Sequence, residues 1–455
     1  INACVREGDV NTARKLFDDD PHSRNIVSWN SLMNGYVKRN EISKAQKLFD
    51  EMPLRDVVSW NTMLSGFRDI RSPDKSHRCF LTMMRYGPTP DELTFSILIG
   101  TFLSSQHKIL IPQLHAIVIR LGISLNIYLG SALMRAYVAL GHSESYIRVF
   151  DEIPVKDVAP YNVLILGHIE FGSISQAKKV FDEMPVRNPH SWSTIINGYM
   201  KNGMIKEAVE EFDRIEVRDV VSTTAMIRGF ADVRRFAEAL KIFRSMMNDG
   251  IRPNRFTLST VLNACAGDSS LVMGIQVHGV MSKLGIPADV VTETALVDMY
   301  GKCGDMDSAS KVFESMPDRN LASWNSMIGG YARNGSTHIA FQVFDEMSKS
   351  GTSPDEVTFI NVLSACVHGG TVKQGEELFD SMKSKYGIRP EIEHFSCMVD
   401  LYGRAGELEK AEELVRNLPF EPDVVVWGAL FFGACGLHSH PDSVRTAADG
   451  LSKRE

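Results

Sequence analysis

The chain has 455 residues, a net charge of −7 and 44 % hydrophobic residues, the composition of an ordinary soluble protein. The negative charge argues against a general polyanion binder, because that affinity comes from many Lys and Arg on phosphates; a selective groove is still allowed. Seven cysteines, an odd number without a C-x-x-C pair, speak against a disulfide framework and favour a reducing compartment. The longest nearly apolar stretch, Val424 to Cys435, falls well short of the ~20 residues of a membrane span, so no membrane partner is expected.

The predicted elements follow a hydrophobic ladder with a period of 31 to 36 residues. A partial repeat, 1–25, comes first, and Ile1 enters it already in progress, so the chain reads as a fragment and the lack of a transit peptide says nothing of its address. Twelve repeats follow: 26–56, 57–91, 92–126, 127–157, 158–188, 189–219, 220–254, 255–289, 290–320, 321–355, 356–391 and 392–423. Residues 424–455 close the chain. In 321–355, Trp324, Met327, Ile328 and Tyr331 recur at three- and four-residue steps, and Ile339, Ala340, Val343, Phe344 and Met347 do the same. Each half predicts an amphipathic helix.

Between the halves stands Gly141, Gly172, Gly203, Gly304, Gly335, Gly370 or Gly406, which allows the positive φ that ends a helix. At the twentieth position Ala45, Ala177, Ala208, Ala239, Ala309, Ala340 and Ala411 let the second helix approach the first. Proline, in Met52-Pro53 or in Gly351-Thr352-Ser353-Pro354, is expected to stop the second helix. One hairpin cannot bury both of its apolar edges, so neighbours must stack. The fold class is all-α: a right-handed superhelical solenoid of helix-turn-helix repeats, with the first helices lining one concave face.

The Trp-Asn pairs Trp29-Asn30, Trp60-Asn61 and Trp324-Asn325, the twentieth-position Ala and the string from Phe49 to Asp56 resemble plant pentatricopeptide repeat proteins over essentially the whole chain. Lengths of 35, 35 and 31 recur in that order at 57–157 and 220–320, which resembles the P-L-S subfamily associated with C-to-U editing of organelle transcripts. Val424 through Leu451 resembles the first part of the E extension of editing factors; a complete extension and a DYW-type deaminase are missing. A tetratricopeptide array, the protein-binding rival, has a uniform period of 34 and a W-x-x-L-G-x-x-Y helix. Alternating lengths and an Asn after the aromatic disfavour it here.

No catalytic motif stands out. His168-Ile169-Glu170 matches the first half of a zinc deaminase signature, but no C-x-x-C exists to complete it. No enzyme activity, metal or cofactor is therefore expected. His115 and His278, each at the twenty-fourth position of a long repeat where other repeats carry Phe, read as structural; Cys265, Cys366 and the tryptophans Trp29, Trp60, Trp192 and Trp324 read as packing.

One base per repeat, read by two or three side chains, is the logic of such arrays, and the resemblance places the readers at the fifth and last residues of each repeat. It implies Asn30/Asp56 for U, Asn61/Asp91 for U, Ser96/Asn126 for A, Ser131/Asp157 for G and Asn162/Asn188 for a pyrimidine. Ser193/Asp219 follows for G, Thr224/Asn254 for A, Ser259/Asp289 weakly for G, Thr294/Asn320 for A and Asn325/Asp355 for U or C. Ile360/Glu391 and Ser396/Asp423 fall outside the dependable code. The second residue would sandwich bases: Val27, Val58, Val221 and Val291 foremost, with Leu93, Tyr128, Phe256 and Val357. Ala159, His190, Ala322 and Glu393 depart from that pattern, so grip should weaken there. In the plain alternative, the fifth-position Asn caps the first helix and the final Asp is a turn residue. That explains the polarity, but less well the restriction of eleven fifth positions to Asn, Ser and Thr.

The resulting expectation is sequence-specific binding of single-stranded RNA in a mitochondrion or chloroplast, as a site-recognition factor for C-to-U editing. A DYW-type deaminase and other editing factors would act in trans. The alternatives are a role in RNA stability, splicing or translation without editing, and a protein-binding scaffold.

Overall fold

In the computed structural model, residues 1–21, 24–287 and 289–436 are described, with Val444, Ala447 and Ala448 beyond them. Among these residues every regular element is a helix, and each repeat is a pair of them. Repeat 57–91 pairs Val57–Asp69 with Pro73–Tyr86, and repeat 321–355 pairs Leu321–Arg333 with Thr337–Lys349. The chain divides into two compact units, Ile1–Ile215 and Glu216–Glu455. Within each, a first helix packs on its own second helix and on the first helices of neighbouring repeats.

The small residue at the twentieth position does what its size predicts. Ala45, Ala177, Ala208, Ala239, Ala309, Ala340 and Ala411 have no exposed surface. The tryptophans of the first helices meet the phenylalanine of the preceding repeat edge-on, as in Phe49–Trp60 and Phe313–Trp324, with ring centroids 4.8 and 4.9 Å apart. That geometry suits aromatic quadrupoles and commits these rings to the core.

Most turns between the two helices hold one residue at positive φ, and glycine fills it at Gly141, Gly172, Gly203, Gly304, Gly335, Gly370 and Gly406. Five repeats lack that glycine: Asn40, Arg71, Arg234 and Ser269, in the same place, have φ between 51° and 61°, and 92–126 turns instead through the 3-10 helix Gln106–Leu110. Stacking holds the turn even where the residue disfavours it.

Termination of the second helix follows two routes. In short repeats proline acts as expected, since Ile42–Glu51 stops at an extended Met52 before Pro53. In long repeats the expectation needs correction. Gly250 and Gly351, with φ of 72° and 85°, end the helices, and proline comes three residues later. The short repeats carry a further device. Arg55 donates from Nε to the Phe49 carbonyl at 2.7 Å and from Nη2 to that of Asp50 at 2.8 Å, its guanidinium 4.9 Å from the Phe49 ring centre. Arg187 and Arg319 repeat this arrangement. A cation thus satisfies the carbonyls that a helix C-terminus leaves unpaired.

The segment 424–436 is one more first helix, Val424–Gly436, seated on Ile392–Ala405. Asp423 Oδ1 accepts from the Val425 and Val426 amides. The two backbones come so close that a Cβ on Gly433 would lie 2.6 Å from Gly403 Cα. The rest of the expected E-type extension, 437–455, lies outside the described residues apart from Val444, Ala447 and Ala448.

Candidate nucleic-acid interface

The last residue of a repeat is the N-cap of the next first helix. Asp56, Asp91, Asn188, Asp219, Asn254, Asp289, Asn320 and Asp355 each accept from the backbone N–H three residues on, which belongs to Ser59, Thr94, Ser191, Ser222, Thr257, Thr292, Ser323 and Thr358. Asn126 and Asp157 cap without that hydroxyl, because Leu129 and Pro160 stand where Ser or Thr stands elsewhere. The plain alternative is thus half right. Capping belongs to the terminal Asp or Asn, whereas the fifth residue lies inside its helix and caps nothing.

In three repeats the two candidate readers touch. Asn30 Nδ2 donates to Asp56 Oδ1, Asn61 Nδ2 to Asp91 Oδ1 and Asn325 Nδ2 to Asp355 Oδ1, each at 3.0 Å. The same Oδ1 takes the backbone N–H of the cap, so in these pairs every side-chain bond the carboxylate accepts falls on one oxygen. Asn61 and Asn325 are recessed, 5 % and 9 % exposed, while Asn30 and the three carboxylate partners are partly buried. Each pair is a polar floor with an anionic rim.

Electrostatics fix the rim's character. Burial pushes the carboxyls of Asp56, Asp91 and Asp355 up, but hydrogen bonds from the Ser or Thr and from the paired Asn outweigh it and hold them below the ordinary 3.8. An ionised carboxylate only accepts. It complements the ring N–H on the Watson–Crick edge of U or G, whereas a rim Asn can also donate to the bare ring nitrogen of A or C.

Elsewhere the pairs are looser. Ser96 bonds to the Glu92 carbonyl rather than to Asn126, and Thr294 to the Val290 carbonyl rather than to Asn320. Ser131, 2 % exposed, and Asn162 keep a buried oxygen with no hydrogen-bond partner among the described residues. Ser193 lies in the first unit and Asp219 in the second. Thr224 reaches Thr257 rather than Asn254. Ser259 bonds to the Phe256 carbonyl, and Asp289 differs from the other rims because Arg255 bridges its Oδ2 at 3.0 Å.

The second-position side chains stand clear of the core: Val27, Val58 and Val291 are more than half exposed, and Val221 is partly so. Exposed aliphatic groups beside a polar pair offer a planar base an apolar face. The other singled-out residues have structural partners. His115 Nδ1 meets the Tyr137 hydroxyl at 2.8 Å and His278 Nδ1 that of Tyr300 at 2.9 Å. Burial lowers the pKa of both histidines. His168 bonds Tyr146, and Glu170 accepts from Lys201. Burial pushes the Cys265 thiol up to about 12 and that of Cys366 to about 11. Among the described residues no group of three or more His, Cys, Asp or Glu could hold a metal ion, and no helix is long and apolar enough to cross a membrane.

Sequence reasoning missed the third-position hydroxyl. Its signal was present, since Ser or Thr three residues after a terminal Asp or Asn is a capping-box pattern.

Stacked helical hairpins with a polar pair at most junctions define a helical-repeat protein. Family models agree on which kind: the PPR repeat family matches 24–55, 55–104, 218–267 and 319–368, the PPR repeat matches 1–19, 159–188, 190–220, 294–321 and 393–419, and the pentatricopeptide repeat domain matches 351–405. The chain belongs to the pentatricopeptide repeat family. It is 34 % identical over 444 residues to a mitochondrial pentatricopeptide repeat-containing protein of Arabidopsis thaliana, covering 98 % of this chain and 56 % of that one. A second Arabidopsis thaliana member is 42 % identical over 369 residues, 80 % of this chain and 55 % of its own length. The chain therefore spans little more than half of either relative. A third, putative member is 31 % identical over 460 residues, covering 92 % and 75 %. Among solved structures, the pentatricopeptide repeat protein PPR10 in complex with an 18-nt psaJ RNA element is similar, with a TM-score of 0.47 and 16 % identity over 99 % of this chain and 83 % of that one.

Proposed function

We propose that this chain binds single-stranded RNA, one base per repeat, through the fifth and last residues of its repeats. The supporting observation is the Asn–Asp contact at 3.0 Å in three separate repeats, which places the side-chain bonds of each carboxylate on one oxygen. Capping alone would not require the fifth residue to join the pair. Read from Asn30/Asp56 onward, the pairs favour 5′-UUAGYGARAY-3′, with Y a pyrimidine and R a purine and the N-terminal repeats toward the 5′ end. The P-L-S order of repeat lengths supports a role as the recognition factor of C-to-U editing, with a DYW-type deaminase in trans, and relatives named mitochondrial support an organelle as its place. Filter binding tests the reading: the matched RNA should bind at least about fivefold more tightly than a scrambled strand of the same composition, taking one to three discriminating pairs at about 1 kcal/mol each. Equal affinities would refute it. Sequencing organelle transcripts from a knockout then separates lost editing from lost transcript.

A further inference from the structure

In four repeats the third residue is Thr, and in the three long ones its hydroxyl ties down the fifth-position reader of the preceding repeat; Thr292, in the short repeat 290–320, bonds Asp289 alone and leaves Ser259 on the Phe256 carbonyl. Thr94 Oγ1 lies 2.7 Å from Asn61 Oδ1 and 2.8 Å from Asp91 Oδ1, and Thr358 Oγ1 lies 2.7 Å from both Asn325 Oδ1 and Asp355 Oδ1. Thr257 Oγ1 lies 2.7 Å from Thr224 Oγ1 and 3.0 Å from Asn254 Oδ1. Where the residue is Ser, the link to the reader is missing. Ser59 donates to Asp56 Oδ1 at 2.6 Å and leaves Asn30 Oδ1 buried without a partner among the described residues. Ser191 donates to Asn188 Oδ1 at 3.0 Å and leaves Asn162 Oδ1 in the same condition.

Sterics give the reason. In these three long repeats the methyl of Thr restricts χ1 and the hydroxyl stands between reader and cap, whereas Ser59 and Ser191 turn to the cap. A hydroxyl has one proton, so Thr94 shares it between Asn61 and Asp91, and the three side chains form one coupled group. In such a group the amide of Asn61 presents a single orientation to an incoming base. Asn30 and Asn162 are held less firmly.

We propose that Thr94, Thr257 and Thr358 are positioning residues for base recognition, setting how sharply the fifth residue of the preceding repeat discriminates, while Ser59 and Ser191 leave their readers permissive. This rests on the base-reading function proposed above. None of the three threonines needs to touch RNA; each acts through the side chain it orients.

Two substitutions in opposite directions test it, each read with RNAs that differ at one base only. Thr94→Val should flatten the U preference at the second base by roughly fivefold, the worth of one hydrogen bond, with the ranking at the other bases unchanged and Thr94→Ser restoring little of it. Ser59→Thr, which threatens no fold, should sharpen the U preference at the first base by a similar factor. A merely structural role for these hydroxyls would weaken binding to every RNA alike and leave all rankings as they were. Unchanged rankings in both variants, in a protein that itself prefers U at these bases, would overturn the positioning role and leave base reading intact. A wild-type protein with no preference at either base would overturn base reading itself.

Discussion

Each rim residue serves two masters, and its atoms divide the work. In Asp56, Asp91 and Asp355 one oxygen holds the start of a helix, while the other faces away from every bond the side chain makes to its cap and its reader. The identity of the rim can therefore change from Asp to Asn without loss of the cap, since both accept at N-caps about equally well. Repeat 220–254 is the place to exploit this, because Thr257 follows it as Thr94 follows 57–91. Thr224→Asn with Asn254→Asp should recreate the Asn–Asp–Thr group and move the preference at that base from A toward U. A base-edge pairing is worth about 1–3 kcal/mol, roughly fivefold to over a hundredfold between two RNAs differing there. An unchanged ranking with altered stability would mean that these residues only punctuate helices. The fifth and last positions were pointed to by the family resemblance; what the sequence itself shows is that they recur as polar residues in an apolar ladder. The third position was hidden by its own regularity, as Ser or Thr beside a cap asks for no second role.

At the scale of the hairpin, pattern was enough to find both helices and most of their turns, because burying an apolar stripe and breaking it with glycine are local choices. The turn residues that are not glycine were not legible. Arg71, Arg234 and Ser269 carry positive φ at the turn although none of them is a residue that favours it. For an L-residue that conformation costs about 1–2 kcal/mol, of which glycine's greater freedom when unfolded returns some 0.5–1 kcal/mol. Arg234→Gly should therefore stabilise the protein by about 0.5–1 kcal/mol, read as a rise in the denaturant midpoint. Asn40→Gly should gain less, since Asn tolerates this region better than Arg. A loss of stability at Arg234 would mean that its side chain holds the hairpin in a way the turn geometry does not reveal.

Across the whole molecule, acid should act in two separate stages. His115, His168 and His278, spread over both units, have pKa values lowered below 6.5 by burial, so the unfolded chain binds more protons than the folded one just below that value. Stability then rises with pH through that window and is lost as pH falls through 6.5. The rim carboxylates work lower down: their contribution is complete above 3.8 and fades as pH drops through their depressed values. His115→Phe with His278→Phe, the residue other repeats carry there, should shrink the loss of denaturant midpoint between about pH 7.5 and pH 5.5 without touching the lower stage. An unaltered loss would assign the upper stage to other groups.

The helix Val424–Gly436 repeats the geometry of a first helix down to its Asp423 cap, yet its fifth residue is Gly428, a backbone with nothing to offer a base. The stack thus runs one step further than its legible text. If the base reading proposed above holds, the helix is a blank spacer, one first helix long, after the last reading pair. Such a spacer would fix the interval, counted in nucleotides, between the recognised sequence and any chemistry performed beside it.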